Sequence, residues 1–214
     1  SYKPAERPMY YGGNNHGSIV QIRKDWYIFY HRHTNGTWFS RQGCAEKLPI
    51  REDGLFGQAE LTSCGLNGGP LAGEGYYPSC IACHLFTDRP VIYVGDSDKT
   101  EYVNGSFPKI VKEGWDGDQN EGYITNMYDQ CTAGFRYFDL SHVSEITLTI
   151  RGYAYGSMEI RTSFEGSAVK TIPLHYSNIW RDIKTEIKLP EGADSLYFTY
   201  RGPGSASFKG FTLK

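Results

Sequence analysis

The chain has 214 residues, 39% of them hydrophobic, and a formal net charge of −2 at pH 7. That length can bury a real core as one large domain or two small ones, and the charge gives no electrostatic basis for binding nucleic acid or an anionic membrane surface. No apolar run approaches the roughly 20 residues of a membrane helix, and the opening SYKPAERPMY lacks the charged-then-apolar pattern of a signal peptide.

Glycine (25 residues) and aromatics (15%) are abundant, while helix-period apolar stripes are scarce. The combination predicts many short strands joined by tight turns, with no helix longer than a turn or two. The stretch YYGGNNHGSIVQIRKDWYIFYHRHTNG starts at Tyr10. It sets one polar knot, Asn14-Asn15-His16, before an apolar strand, and a second, His31-Arg32-His33, at the end of the next strand.

Residues 18–61 predict four strands. Ser18–Ile22 and Trp26–His31 flank the turn RKD, WFSRQGCAE follows a polar loop, and LFGQAELT follows the turn REDG. The second strand is apolar on both faces, with Trp26, Ile28 and Tyr30 on one and Tyr27, Phe29 and His31 on the other. It therefore needs neighbours on both sides, and a four-stranded antiparallel sheet of that kind is a propeller blade. Glu46, Glu52, Asp53 and Glu60 fall on outer strands or turns, where solvated surface roles are expected.

The Gly-rich SCGLNGGPLAGEG, Ser63 to Gly75, loses the strand pattern and predicts a linker. From Tyr76 onward, GFRYFDL, EITLTIRG, SMEIRTSFEG, DIKTEIKL, SLYFTYRG and FKGFTLK alternate between Gly-containing turns, which predicts a β-sandwich. The expected organisation is thus a blade over 1–62, a linker over 63–75 and a sandwich over 76–214. Cys80 and Cys83 form a C-x-x-C within PSCIACHLF, taken as a strand, where they would point to opposite faces. With no second C-x-x-C and an odd total of five cysteines, buried free thiols are expected over a disulfide or metal role. DGDQNEG places Asp116, Asp118 and Asn120 at alternate positions like the start of a calcium loop. Its glycine comes one residue late and position twelve is Met127, so a polar turn is the better assignment.

With these segments in view, the chain resembles the C-terminal part of a glycoside hydrolase family 43 enzyme. The Asn-His knot before GSIV and the strand WYIFYHR are similar to the last blade of that family's five-bladed propeller. GYI at Gly122–Ile124, the Trp180 segment and the ending SASFKGFTLK are similar to a family 6 carbohydrate-binding module with a jelly-roll-like sandwich. The resemblance implies a glycosidase acting on arabinose- or xylose-containing plant polysaccharides or oligosaccharides, as in xylan degradation, with an extracellular or periplasmic location. It also implies that N-terminal propeller blades absent from this chain carry the catalytic carboxylates. Inverting enzymes hold an acid and a base roughly 6.5–9.5 Å apart, and the innermost strand here, beginning NNHGSIV, offers no carboxylate. No catalytic residue is therefore assigned, and the chain alone is expected to be inactive.

By the same resemblance His16 meets the propeller axis. There it either contributes to a central cation, such as calcium in the complete propeller, or fixes backbone groups. Arg32 matches an arginine that contacts the sugar, with a structural pairing as the alternative, and His31 and His33 are structural. In the sandwich, Tyr123 and Trp180 match two rings that clamp a sugar at the loop end, and Ser207 stands where the family has an asparagine. Two rival assignments stay open: a non-catalytic carbohydrate-binding protein, or a structural sandwich with Trp180 as an interdomain plug.

Overall fold

In the computed structural model, which describes residues 16–32, 34, 41–88, 108–112 and 122–214, strands account for nearly all regular structure. No helix of the described residues is long and apolar enough to cross a membrane. Strands β1 (Ser18–Ile22), β2 (Asp25–Arg32) and β3 (Gln42–Leu48) form an antiparallel sheet in that order. A tight turn with Arg23 at φ 57° closes the first hairpin, so that Ile22 lies opposite Asp25.

Among the described residues this sheet has three strands, one fewer than expected. LFGQAELT makes only an isolated bridge, Phe56 to Ile50. The end of the segment uses its hydrogen bonds elsewhere. Thr62 donates its N–H (2.9 Å) and its hydroxyl (2.6 Å) to Glu46, the Ser63 N–H donates to the Arg136 carbonyl, and the Leu61 carbonyl accepts from Arg136. A backbone drawn to these partners cannot also form a ladder with β3.

The remaining strands build a sandwich. One sheet runs β11 (Lys170–Pro173), β10 (Ser157–Arg161), β13 (Ser195–Arg201), β8 (Thr132–Arg136), β5 (His84–Phe86). The other runs β12 (Ser177–Glu186), β9 (Glu145–Gly152), β14 (Ala206–Leu213), β7 (Tyr123–Met127), β6 (Lys109–Val111), with β4 (Gly75–Pro78) paired to β14. Period-two alternation does the sorting. On β9, Ile146, Leu148 and Ile150 are buried while Thr147, Thr149 and Arg151 are only partly so. Between the sheets Phe135, Phe198, Phe208 and Phe211 pack with ring centroids 5.0 to 6.3 Å apart, all four without exposed surface.

The Gly-rich stretch expected as a linker is strapped to the sandwich. It forms a 3-10 turn at Gly65–Asn67, then a parallel bridge from Leu71 to Phe138, with Leu71 N–H on the Tyr137 carbonyl and Asp139 N–H on the Leu71 carbonyl, both at 2.8 Å. The C-x-x-C segment is likewise not one strand. Ser79–Ile81 is a 3-10 turn and β5 begins only at His84. The cause is Ser79, whose buried hydroxyl donates to the Phe208 carbonyl and accepts the Ile124 N–H, pinning the chain against β14 and β7. No disulfide joins the five cysteines, all of which are described, and burial pushes the Cys83 thiol up to about 11.

Candidate functional site

Trp180, Tyr123, Arg151 and Ser207 come together on the outer face of the six-stranded sheet. Alternation along β9 turns Arg151 outward, opposite Ser207 on β14, while Phe208 pairs with Ile124 to bring β7 alongside. Trp180, expected in a loop, lies on β12, where a break in register between Ser177 and Arg181 bulges the strand. A bulge re-aims a side chain, and here it sets the indole over the sheet.

The two rings that sequence pairs do meet, but they do not flank a gap. Their centroids are 5.1 Å apart at 81°, an edge-to-face contact. The Arg151 guanidinium lies 4.2 Å above the Trp180 ring and donates to the Tyr123 hydroxyl at 3.1 Å. Lys209 approaches the indole at 5.8 Å. Ser207 shares a 2.9 Å hydrogen bond with Thr125. The arrangement is a partly exposed aromatic patch carrying cations, able to stack on an apolar ring face and to donate hydrogen bonds around it. Arg151 and Lys209 were absent from the sequence assignment. The alternation of Ile146, Leu148 and Ile150 was the signal that could have placed Arg151 on this face. Among the described residues, Trp180's ring contacts are to the sandwich residues Tyr123, Arg151 and Lys209.

Arg32 sits elsewhere and is occupied. Its guanidinium donates to the Ala82 carbonyl at 2.8 Å, to the Cys83 carbonyl at 3.0 Å and to the Cys44 sulfur at 3.3 Å. Gln42, opposite Arg32 in the ladder, donates to the Cys80 carbonyl at 2.7 Å. These two side chains clasp the turn that leads into β5, which favours the structural alternative for Arg32. His16 is exposed and stacks on His31 at 5.9 Å. Among the described residues no group of three or more His, Cys, Asp or Glu could hold a metal ion. The described residues alone therefore make no complete cation site around His16. His33, Asp116, Asp118 and Asn120 lie outside the described residues.

Glu46 departs from the surface role expected for it. It is 4% exposed and accepts from Thr62 and, at 3.2 Å, from Tyr30. Burial raises its carboxyl above the usual range against the lowering effect of those hydrogen bonds. With Glu60, Thr62, Cys64 and Tyr137 it lines a cleft of about 370 Å³ between β3 and the strapped segment. Glu60 is engaged there too, accepting from the Tyr137 hydroxyl at 2.7 Å. Both carboxylates are structural partners in this arrangement.

Comparison with known proteins gives the chain its relatives. No family model matches the sequence. It is 55% identical over all 214 residues to a xylosidase/arabinosidase from Thermoclostridium stercorarium, and it spans 45% of that relative's length. Among solved structures, a glycoside hydrolase family 43 arabinoxylan arabinofuranohydrolase from Bacillus subtilis is similar in fold over 95% of this chain and 41% of its own, with TM-score 0.55 and 16% identity. A family 6 carbohydrate-binding module from Clostridium stercorarium, in complex with cellobiose, matches 69% of this chain and 98% of its own at TM-score 0.52 and 11% identity. A β-1,3-glucan binding family 6 module from Bacillus halodurans matches 68% and 99% at TM-score 0.50 and 13% identity. The chain is therefore similar over its whole length to part of that xylosidase/arabinosidase, and its all-β fold is like that of the family 43 hydrolase, with the sandwich like that of the family 6 carbohydrate-binding modules.

Proposed function

We propose that this chain is the part of an arabinose- or xylose-releasing glycoside hydrolase that holds plant-type oligosaccharide or polysaccharide, with hydrolysis carried out by carboxylates on other propeller blades. The observation that carries this is the 55% identity to a xylosidase/arabinosidase across every residue. The outer-face patch supports it, because an indole and a phenol beside a guanidinium suit a pyranose, whose C–H face stacks while its hydroxyls take the donors. Arg151 already covers the Trp180 ring, so a sugar must share or displace that contact. Burial yields roughly 25 cal/mol per Å² before association costs, which over so small a patch predicts millimolar dissociation constants, about −4 kcal/mol.

The test is to titrate xylo- and arabino-oligosaccharides into the purified chain with Trp fluorescence as readout, and to assay the same protein on aryl arabinofuranosides and xylosides. A saturable change at millimolar sugar, lost in Trp180→Ala, with no turnover, is expected. Turnover above a heat-killed control overturns the division of labour, and no response at high millimolar sugar overturns the binding role. A purely structural sandwich is the second candidate, favoured by the Arg32 and Gln42 clasp on the residue 80–83 turn.

A further inference from the structure

We propose that Tyr153, Tyr155 and Tyr176 form a second glycan-stacking platform, distinct from the Trp180 patch, that takes a neutral polysaccharide chain. The three side chains are 66%, 60% and 44% exposed. Tyr176 lies between the other two, its ring 4.9 Å from that of Tyr153 at 35° and 6.4 Å from that of Tyr155 at 12°. The sandwich core is complete without them, built on buried phenylalanines. Three neighbouring aromatic rings left in solvent on one end of a domain are a contact surface awaiting a ligand.

The backbone beneath them is fixed before any ligand arrives. The Tyr155 N–H donates to the buried Tyr200 hydroxyl at 3.1 Å, Ser205 N–H to the Tyr153 carbonyl at 3.1 Å, and Leu174 N–H to the Gly156 carbonyl at 2.8 Å. Two glycines make this fit possible. At Gly204, with φ 86°, an added Cβ would sit 1.7 Å from the Tyr153 carbonyl oxygen, and at Gly156 1.8 Å from that of Arg201. Rings presented from such a frame lose little freedom on binding. Tyrosine itself offers a wide amphipathic face with few rotatable bonds.

Charge selects the class of ligand. Glu159, at the base of these loops, is closed by Arg161 and by Arg201 at 3.2 Å, and Asp129 accepts the Gly202 N–H at 2.9 Å. The phenol of Tyr176 is raised above its usual pKa, first because ionising it beside the Tyr153 phenol would set like charges together, so it stays protonated at neutral pH. The three rings themselves are neutral and edged with hydroxyls, which suits C–H faces and hydroxyl groups. Tyr153 follows Arg151 by two residues, just past the end of β9 at Gly152, Ser177 pairs with Gly152, and Ala154 bridges to Gly204. Tyr153 and Tyr176 thus adjoin in sequence the strands β9 and β12 that carry Arg151 and Trp180.

This rests on the proposed sugar binding only for the choice of probe, soluble arabinoxylan. Affinity electrophoresis of the full chain in arabinoxylan gels should show retardation. Tyr153→Ala, and independently the double variant Tyr155→Ala with Tyr176→Ala, should weaken it about 5–10-fold for loss of a stacked ring, while Tyr153→Phe, which keeps the ring, leaves it unchanged. Unaltered melting temperatures confirm that these exposed substitutions fold. If Trp180→Ala weakens retardation but neither tyrosine variant does, the platform is overturned while the Trp180 site stands. If the tyrosine variants weaken it and Trp180→Ala does not, the platform stands alone. If sedimentation shows the wild-type chain self-associating, and Tyr153→Ala abolishes that association without altering retardation, the tyrosines form a contact between copies and the proposal falls.

Discussion

Replacing Arg32 by alanine separates the two roles open to it. The side chain satisfies two carbonyls, on Ala82 and Cys83, both on residues with no exposed surface, at 2.8 and 3.0 Å. A buried acceptor stripped of its donor costs roughly 1–3 kcal/mol, and the lost thiol contact at 3.3 Å adds little. Two such acceptors give about 2–6 kcal/mol, and because Arg32 is only half-buried, water can follow into the space and hold the total in the lower half of that range, about 3 kcal/mol. For a chain of this size each kcal/mol moves the melting temperature by about 2–4 °C, giving a fall of about 6–12 °C. Arg32→Lys keeps the charge but not the fork that reaches both carbonyls, and should fall in between. Thermal unfolding by circular dichroism measures the loss. Amide exchange should quicken in residues 18–48 before the sandwich strands open. A melting temperature within about 2 °C of wild type, with unchanged exchange, would refute the clasp. If sugar affinity fell at the same time, the sugar-contact role would take its place.

Glu46 gives a pH test. Because burial raises its folded-state pKa, its contribution is fully present below the unfolded value of about 4.3 and is lost as pH rises through the folded value. Glu46→Gln keeps acceptors and donors toward Thr62 and Tyr30 without titrating, so its melting temperature should decline less than wild type above about pH 4; parallel curves would count against the assignment. Phe211, in ring contact with Phe135, Phe138, Phe198 and Phe208, should cost about 3–5 kcal/mol in urea unfolding when cut to alanine, and a loss under about 1 kcal/mol would mean the core lies elsewhere.

Alternation made much of the fold legible. Ile146, Leu148 and Ile150 are buried as alternation predicts, EITLTIRG and SLYFTYR form strands as expected, and GFRYFDL leaves its strand after Arg136. Period-two patterns report which face is buried and say nothing about which partner takes a hydrogen bond. That is why LFGQAELT looked like a fourth strand, when Glu46 and Arg136 hold its end instead, and why PSCIACHLF looked like one strand when Ser79 turns it. Glu46 was misplaced for the same reason. A carboxylate near a turn looks solvated until Thr62, sixteen residues on, folds over it. The site was half visible. The ring pair could be matched to a motif, but the guanidinium lying over the Trp180 ring arrives from a strand that the motif does not include. The tyrosine cluster draws on two separate loops, and only the closed sandwich brings them together.

Arg136 has a consequence for modularity. It belongs to β8 in the middle of the sandwich, is 1% exposed, and sends its guanidinium to the Leu61 carbonyl at 3.3 Å and toward Glu60 at 3.5 Å. Those partners lie upstream of the glycines that mark the change in composition. A sandwich transplanted into another protein from residue 76 would leave them behind, keeping a buried cation while losing the carbonyl and carboxylate that help to balance it. The portable unit begins near residue 60, inside what composition assigns to the blade, so recombination that respects the electrostatics must carry the strap along with the sandwich.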